Sequence, residues 1–477
     1  MIAMPLPQTF SLLVLGLGST GFNVIEWALR HQGERVSAVC VYGGASAEPN
    51  ESTRALEEHG VRFVFGTESV EGTYDVCVAS PGISEFSEFY QSARAASTQI
   101  MGEPEFAYRL SPERWCGITG TNGKTTTTAL VEHLIRSSGM AATAVGNIGT
   151  ATISAVDSRS PGDWLVAELS SYQLATTEEF HPRVGVLLNI TPDHLAWHRS
   201  HDNYARAKLR LFENMGDGDL AIVDADDPGI GLYGDEVFRD VRRVLRASFD
   251  DPACADAAFL RAGWLVVRLA GEELDLVDVS ELLLAGDHNV KNALVASAAA
   301  LACGASAEGV REGLRCFGPL EHRAEPCGEI DGVRYVNDSK ATNTDAVEKA
   351  LASFPDDRVI VLLGGHDKGT PLDEFASFVV DHAACAVCFG ESRERFRRAL
   401  EDADRSGVID IAEADDLYDA VDVARSLASR GDVVLLSPAC SSFDQFSGFE
   451  ERGRAFKAYV DKIRIALDEG EQFDTEE

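Results

Sequence analysis

The chain has 477 residues, 42 Lys and Arg against 77 Asp and Glu, a formal net charge of −35 and 45% hydrophobic residues. Such a surface repels phosphate backbones and anionic lipid, which argues against nucleic acid and membrane surfaces as partners, and the length implies about three domains. If the substrates are anionic too, metal ions and a few placed Lys and Arg residues must concentrate positive charge locally.

The first ten residues carry no positive charge, and the apolar run 10–17 is too short and glycine-punctuated for a membrane span. Ten cysteines are scattered, with one close pair, Cys385 and Cys388, inside an apolar run that reads as a buried strand. A soluble, reduced, cytoplasmic protein is expected, with no membrane insertion.

Strand-like runs alternate with helix-like segments, the signature of α/β domains with mostly parallel sheets. The first unit, 1–102, has strands near 11–15, 36–42 and 76–79 and reads as Rossmann-like. The second, 103–318, opens with an amphipathic helix at 103–110 and a strand at 115–119. It continues through strands at 164–169 and 184–189 to an alanine-rich helix at 288–303, in a P-loop ATPase-type α/β domain. A linker at 316–320 leads to a third, Rossmann-like unit, 319–477, with strands near 333–337, 359–363, 386–389 and 433–437.

Cys116-Gly-Ile-Thr-Gly-Thr-Asn-Gly-Lys-Thr-Thr-Thr-Thr128 follows a short strand and precedes a helix. Glycines there let backbone N–H groups converge on phosphate oxygens, with a helix dipole behind them. Lys124 would reach the outer phosphates, and Thr125 would offer its hydroxyl to Mg²⁺. The generic pattern asks for glycine at 118, which is Ile118, with Gly117 and Gly120 on either side. A second loop, Gly16-Leu-Gly18-Ser-Thr-Gly21, fits the dinucleotide fingerprint but lacks its acid, since the next strand ends Val41-Tyr-Gly-Gly44. It reads as a diphosphate turn for a nucleotide other than a nicotinamide cofactor.

Glu168, Asp193 and His194 follow successive strands, and Lys208 lies on the next helix. Each alone has a structural explanation; together, beside a phosphate loop, they suggest a metal-assisted phosphoryl-transfer centre.

With Thr119-Gly-Thr-Asn-Gly-Lys-Thr-Thr126, Gly146-Asn-Ile-Gly149, Glu168-Leu-Ser-Ser-Tyr-Gln-Leu174, Asn189-Ile-Thr-Pro-Asp-His-Leu195, Asn337-Asp-Ser-Lys-Ala-Thr-Asn343 and Leu436-Ser-Pro-Ala-Cys-Ser-Ser-Phe-Asp-Gln-Phe446, the sequence resembles the muramyl ligase family of peptidoglycan synthesis over nearly its whole length. The last two segments point to its D-glutamate-adding branch. The resemblance implies an ATP-dependent amide ligase acting on UDP-N-acetylmuramoyl-L-alanine and D-glutamate through an acyl phosphate. It further implies a monomer and two Mg²⁺ sites.

It assigns ATP to Gly120, Thr121, Asn122, Gly123, Lys124, Thr125, Thr126, Asn289, Asn292, Arg323 and Asp338. Metal falls to Thr125, Glu168, His194 and Lys208, the last as a carbamylated lysine, with Lys124, His194 and Lys208 as the catalytic set. Substrate contacts fall to Gly18, Ser19, Thr20, Ser80, Asn147, Lys340, Thr342, Lys368, Ser442 and Phe449. The strand end at 41–44 departs from the family's usual Asp-bearing pattern. Competing readings are another muramyl ligase, a folylpolyglutamate synthase, a nicotinamide-dependent oxidoreductase and a non-catalytic P-loop protein.

Overall fold

The computed structural model describes residues 5–237, 241, 243–284, 286–366, 372–404 and 407–468. Lys368 and the acidic end of the chain from 469 onward lie outside them. The fold is mixed α/β, built on three sheets.

The first sheet holds β1 (Phe10–Leu15), β2 (Val36–Tyr42), β3 (Arg62–Val64), β4 (Tyr74–Ala79) and β5 (Ser97–Gly102), all parallel, in the order β3-β2-β1-β4-β5. The second holds β6 (Trp115–Thr119), β7 (Ala142–Gly146), β8 (Trp164–Glu168), β9 (Val184–Leu187), β10 (Leu220–Asp224), β11 (Val244–Ala247), β12 (Ala257–Arg261), β13 (Trp264–Leu269) and β14 (Glu272–Asp278). Their order is β14-β13-β12-β11-β10-β9-β6-β8-β7, parallel up to β12 and antiparallel across β12-β13-β14. The third holds β15 (Glu325–Ile330), β16 (Val333–Asn337), β17 (Val359–Gly364), β18 (Cys385–Phe389), β19 (Asp410–Glu413) and β20 (Val433–Ala439), ordered β15-β16-β20-β17-β18-β19 with only β15 antiparallel.

Central strands such as β6, β8, β17 and β20 are buried along their whole length. Continuous apolar runs of this kind are what a parallel sheet covered on both faces requires. Cys385 and Cys388 lie in β18 as buried thiols whose pKa values burial pushes up, to about 11 and about 12.

The chain divides into two compact units, Met1–Leu282 with Lys291–Cys316, and Leu283–Val290 with Phe317–Glu477. In the first unit the first two sheets share one apolar core, where Phe106 meets Trp27 edge-on at 5.1 Å and Phe10 at 6.0 Å. The helix following the phosphate loop, Lys124–Ser137, buries Leu130, Val131, Leu134 and Ile135. The helix Ala307–Cys316 packs against it closely because Gly309 and Gly313 carry no side chain. A Cβ at those positions would lie 2.4 Å from Ser138 Oγ and 2.7 Å from Leu134 Cδ2.

Candidate functional site

In the first unit, the polar segments singled out from the sequence follow the carboxyl ends of the parallel strands, where open α/β sheets place ligands. β6 delivers the loop 120–123, β7 ends at Gly146 before Asn147, β8 ends at Glu168, and β9 leads to Asn189 and onward to His194. β6 sits between β9 and β8, so these loops are neighbours.

The phosphate loop is shaped by long-range hydrogen bonds. Asn189 Oδ1 accepts the N–H groups of Thr121 at 2.9 Å and Asn122 at 2.8 Å, and its Nδ2 donates to Asn122 O at 3.1 Å. The Thr121 hydroxyl pairs with Tyr204 Oη at 2.8 Å, donates to Thr191 O and accepts from Thr191 N–H. Gly123, at φ 81°, begins the helix, and a Cβ there would lie 2.7 Å from Asn292 Oδ1. Asn292 also accepts from the Thr127 hydroxyl at 3.3 Å.

Gly117 is not part of this cradle. It lies inside β6, where a Cβ would lie 2.6 Å from Leu211 Cδ1, so that glycine serves strand-to-helix packing. Asn189, Tyr204 and Thr191 build the loop, and their roles are invisible in local sequence.

Two lysines converge on one carbonyl. Lys124 Nζ donates to Gly120 O at 2.9 Å and Thr121 O at 2.7 Å, and Lys208 Nζ donates to the same Gly120 O at 2.7 Å. Lys208 is 2% exposed and lies 4.6 Å from the centre of the Tyr204 ring. Burial holds its pKa well below the ordinary lysine value, and the positive charge of Lys124 adds to the effect against Asp193 and Glu168. Burial and the neighbouring cation both favour the neutral amine.

Glu168 is 1% exposed. Its Oε1 accepts Asn147 Nδ2 at 2.9 Å, while its Oε2 is buried without a protein donor. An orphaned carboxylate oxygen at a strand end suits a divalent cation. Asn147, expected to contact substrate, is placed by this bond to orient Glu168. Its neighbour Gly146 sits at φ 93°, where a Cβ would lie 2.3 Å from Glu168 O.

His194 has the left-handed φ of 53°, its N–H donates to Asp193 Oδ1 at 2.8 Å, and its ring lies tilted by 49° against Tyr172 with centres 4.7 Å apart. Thr125 and Thr126 open the helix behind the loop. Among the described residues no three His, Cys, Asp or Glu side chains are grouped to hold a metal. An ion here would therefore draw on Glu168, His194 and the Thr125 hydroxyl together with phosphate oxygens, the habit of Mg²⁺.

At the first sheet, the turn after β1 is tight. A Cβ on Gly21 would lie 2.2 Å from Gly16 O, and one on Gly16 would lie 2.9 Å from Ser80 Oγ. Gly18 caps the helix Ser19–Arg30, which carries Ser19 and Thr20 in its first turn. Ser80 Oγ, at the end of β4, is buried without a donor or acceptor from the protein. At 41–44, Tyr42 is buried and its hydroxyl accepts Glu71 N–H at 3.0 Å.

The second unit carries the remaining predicted residues. Asp338 follows β16; its carboxylate accepts from the Ser437 hydroxyl at 2.8 Å and Ala324 N–H at 3.2 Å. Burial pushes its pKa up to about 7, opposed by those bonds and by Arg323 and Arg452. Lys340 Nζ sits 3.7 Å from the Phe449 ring centre, a close cation–π contact. Ser442 Oγ is buried and unpartnered, and Thr342 is half-buried beside this group in sequence.

Arg452 carries no sequence signal that anticipates its role. It is 1% exposed and bonds Ser339 Oγ at 3.0 Å, Ser339 O at 2.8 Å and Cys440 O at 3.0 Å, tying the 338–342 loop to the one after β20. Asn289 also belongs to this unit, at the start of the helix Asp287–Ala302.

The sequence contains only eight lysines. Besides those above, Lys291 pairs with Asp224 and Asp226, Lys349 with Asp345, and Lys457 with Glu321 and Glu325.

Two family descriptions match the chain: the Mur ligase middle domain over residues 118–300 and the Mur ligase, glutamate ligase domain over 322–440. UDP-N-acetylmuramoylalanine–D-glutamate ligase of Pelotomaculum thermopropionicum is 38% identical over 455 residues, covering 94% of this chain and 96% of that protein. The same-named ligase of Chlorobaculum parvum is 39% identical over 461 residues, with 94% and 96% covered. Among solved structures, MurF of Acinetobacter baumannii matches with a TM-score of 0.59 at 16% identity, covering 94% of this chain and 93% of that one. UDP-N-acetylmuramate-alanine ligase MurC of Thermotoga maritima matches at 0.57 and 19% identity, covering 95% and 100%. These structural likenesses show a shared fold.

Proposed function

The chain belongs to the Mur ligase family, and from that premise we propose that it adds D-glutamate to UDP-N-acetylmuramoyl-L-alanine, with ATP cleaved to ADP and phosphate. In this reading segments 1–102, 103–318 and 319–477 act as the UDP-substrate, ATP and amino-acid domains of a cytoplasmic monomer. The described helices include none long and apolar enough to cross a membrane.

The observation that carries the chemistry is the setting of Lys208 and Glu168 beside the phosphate loop. A carboxylate becomes an acyl donor by taking the γ-phosphoryl group of ATP, and that step brings two anions together. Lys124 would turn from the loop carbonyls to the outer phosphates, and bound Mg²⁺, expected at two sites, would neutralise developing charge. Glu168 Oε2, His194 and Thr125 are the groups that would hold it.

A buried, neutral Lys208 amine can add CO₂, and the resulting carbamate replaces a charge that repels the metal with one that attracts it. D-Glutamate would meet Lys340, Thr342, Ser442 and Phe449, together with Lys368, which lies outside the described residues. Asn289, Asn292, Arg323 and Asp338 would hold the nucleotide.

A phosphate-release assay across a panel of amino acids tests the assignment. Release dependent on both UDP-N-acetylmuramoyl-L-alanine and D-glutamate is expected; stimulation by L-glutamate or a diamino acid instead would move the chain to another branch of the family.

A further inference from the structure

In the proposed reading the substrate's diphosphate would lie at the Gly16–Gly21 turn beside Ser80 and its carboxyl near the metal-binding His194, so it would span from the loop after β4 to the loop after β9. Both loops belong to the first unit. They touch directly: the Arg199 guanidinium lies 4.5 Å from the centre of the Phe86 ring, and Arg199 Nη2 donates to Phe86 O at 3.4 Å.

The backbone on the His194 side is held in an unusual state. The short helix Leu195–His198 is flanked by two non-glycine residues in the left-handed region, His194 at φ 53° and Arg199 at φ 66°. L-residues adopt that conformation at a cost of roughly 1 kcal/mol or more each, and it persists where surrounding contacts enforce it.

One enforcing contact is internal. His198 is 2% exposed, its Nε2 lies 2.9 Å from Ser171 Oγ, and its ring meets Tyr204 edge-on at 5.4 Å. Tyr204 in turn holds Thr121 of the phosphate loop. The next residue, Arg199, points outward to Phe86.

The other loop is equally pinned. Ser87 Oγ donates to Ser84 O at 2.8 Å and accepts Tyr90 N–H at 3.1 Å, capping the helix Glu88–Ala96. Phe86 remains 40% exposed, an aromatic ring left open on the substrate side of β4 except where the guanidinium covers it.

We infer that Arg199 and Phe86 form a clasp that sets the distance between the diphosphate turn and the carboxyl-activating loop, making Arg199 a positioning residue for the UDP-linked substrate. The inference rests on the proposed reaction. Steady-state kinetics of the full chain test it, with Arg199→Ala, Arg199→Lys, Phe86→Ala and the double variant Arg199→Ala/Phe86→Ala.

The KM for UDP-N-acetylmuramoyl-L-alanine should rise about fivefold to tenfold in each alanine variant, the size of a partly exposed cation–π pair with its hydrogen bond. The double variant should be no worse than either single one. The KM values for ATP and D-glutamate should stay within about twofold, kcat should fall less than kcat/KM, and Arg199→Lys should recover part of the loss.

Wild-type turnover, measured first, tests the reaction by itself. With an active wild type, unchanged KM for the UDP substrate, a parallel rise in all three KM values, or additive single effects overturn the clasp alone. An inactive wild type overturns both.

Discussion

Glu103 opens the helix Glu103–Leu110 at the seam between the first two sheets, and it is 4% exposed. Its Oε1 accepts Ile153 N–H at 2.6 Å. Burial pushes its pKa from 4.5 up to about 7, with the Ile153 bond pulling the other way. The folded value lies above the unfolded one, so the stability associated with this group is complete below about pH 4.5 and is lost as pH rises through about 7. That gap corresponds to about 3 kcal/mol at roughly 1.4 kcal/mol per pH unit.

Glu103→Gln keeps an acceptor oxygen for Ile153 and cannot ionise. Denaturant unfolding followed by tryptophan fluorescence, run on both proteins between pH 5 and 8, isolates the effect because every other titration is common to both. The variant should gain on wild type by about 2–3 kcal/mol across the interval. A difference that stays constant with pH would refute the assignment of a neutral, buried Glu103.

Lys208→Ala should cut turnover by ~100-fold or more while leaving ATP binding within a few-fold, and bicarbonate should stimulate wild type but not the variant; titration calorimetry with ATP and phosphate release check the two halves. Gly146→Ala should abolish turnover, since its Cβ would lie 2.3 Å from Glu168 O at a φ of 93° that alanine resists; activity within twofold of wild type would contradict the role of this turn as Glu168's support. With a net charge of −35, the thermal midpoint should rise by several degrees between 0.1 and 2 M KCl as like-charge repulsion is screened. A midpoint flat or falling with salt would show that the surface is not under net repulsion.

The parallel core is legible in the sequence because fully buried strands read as unbroken apolar runs, and the phosphate loop because its parts are contiguous. Two kinds of feature are not. Asn189 and Tyr204 shape the loop through bonds to residues 67 and 83 positions away, and Arg452 joins two loops across 113 positions, separations that a local pattern does not carry.

The β12-β13-β14 meander is equally hard to read. Its two-residue turns are Ala262-Gly263 and Ala270-Gly271, all four with positive φ, where Asn-Gly or Asp-Gly would have been a plainer signal. The Asp331-Gly332 turn between β15 and β16 shows that plainer form. Gly117 illustrates the opposite error, since a glycine just upstream of a phosphate loop invites assignment to it while strand packing explains it better.

The scarcity of lysine has a consequence for reactivity. An acyl phosphate acylates neutral amines, and so do most amine-directed labels. Lys349 and Lys457 are held against carboxylates, and Lys291, itself buried, is paired with Asp224 and Asp226, so these amines are engaged as ion-pair partners and not offered as nucleophiles. Lys208 is driven toward the neutral form, but at 2% exposure its amine is shielded from bulky acylating groups. A ligase that makes an activated acyl group thus offers it few side-chain amines to capture it, leaving the incoming amino acid as its main nucleophile.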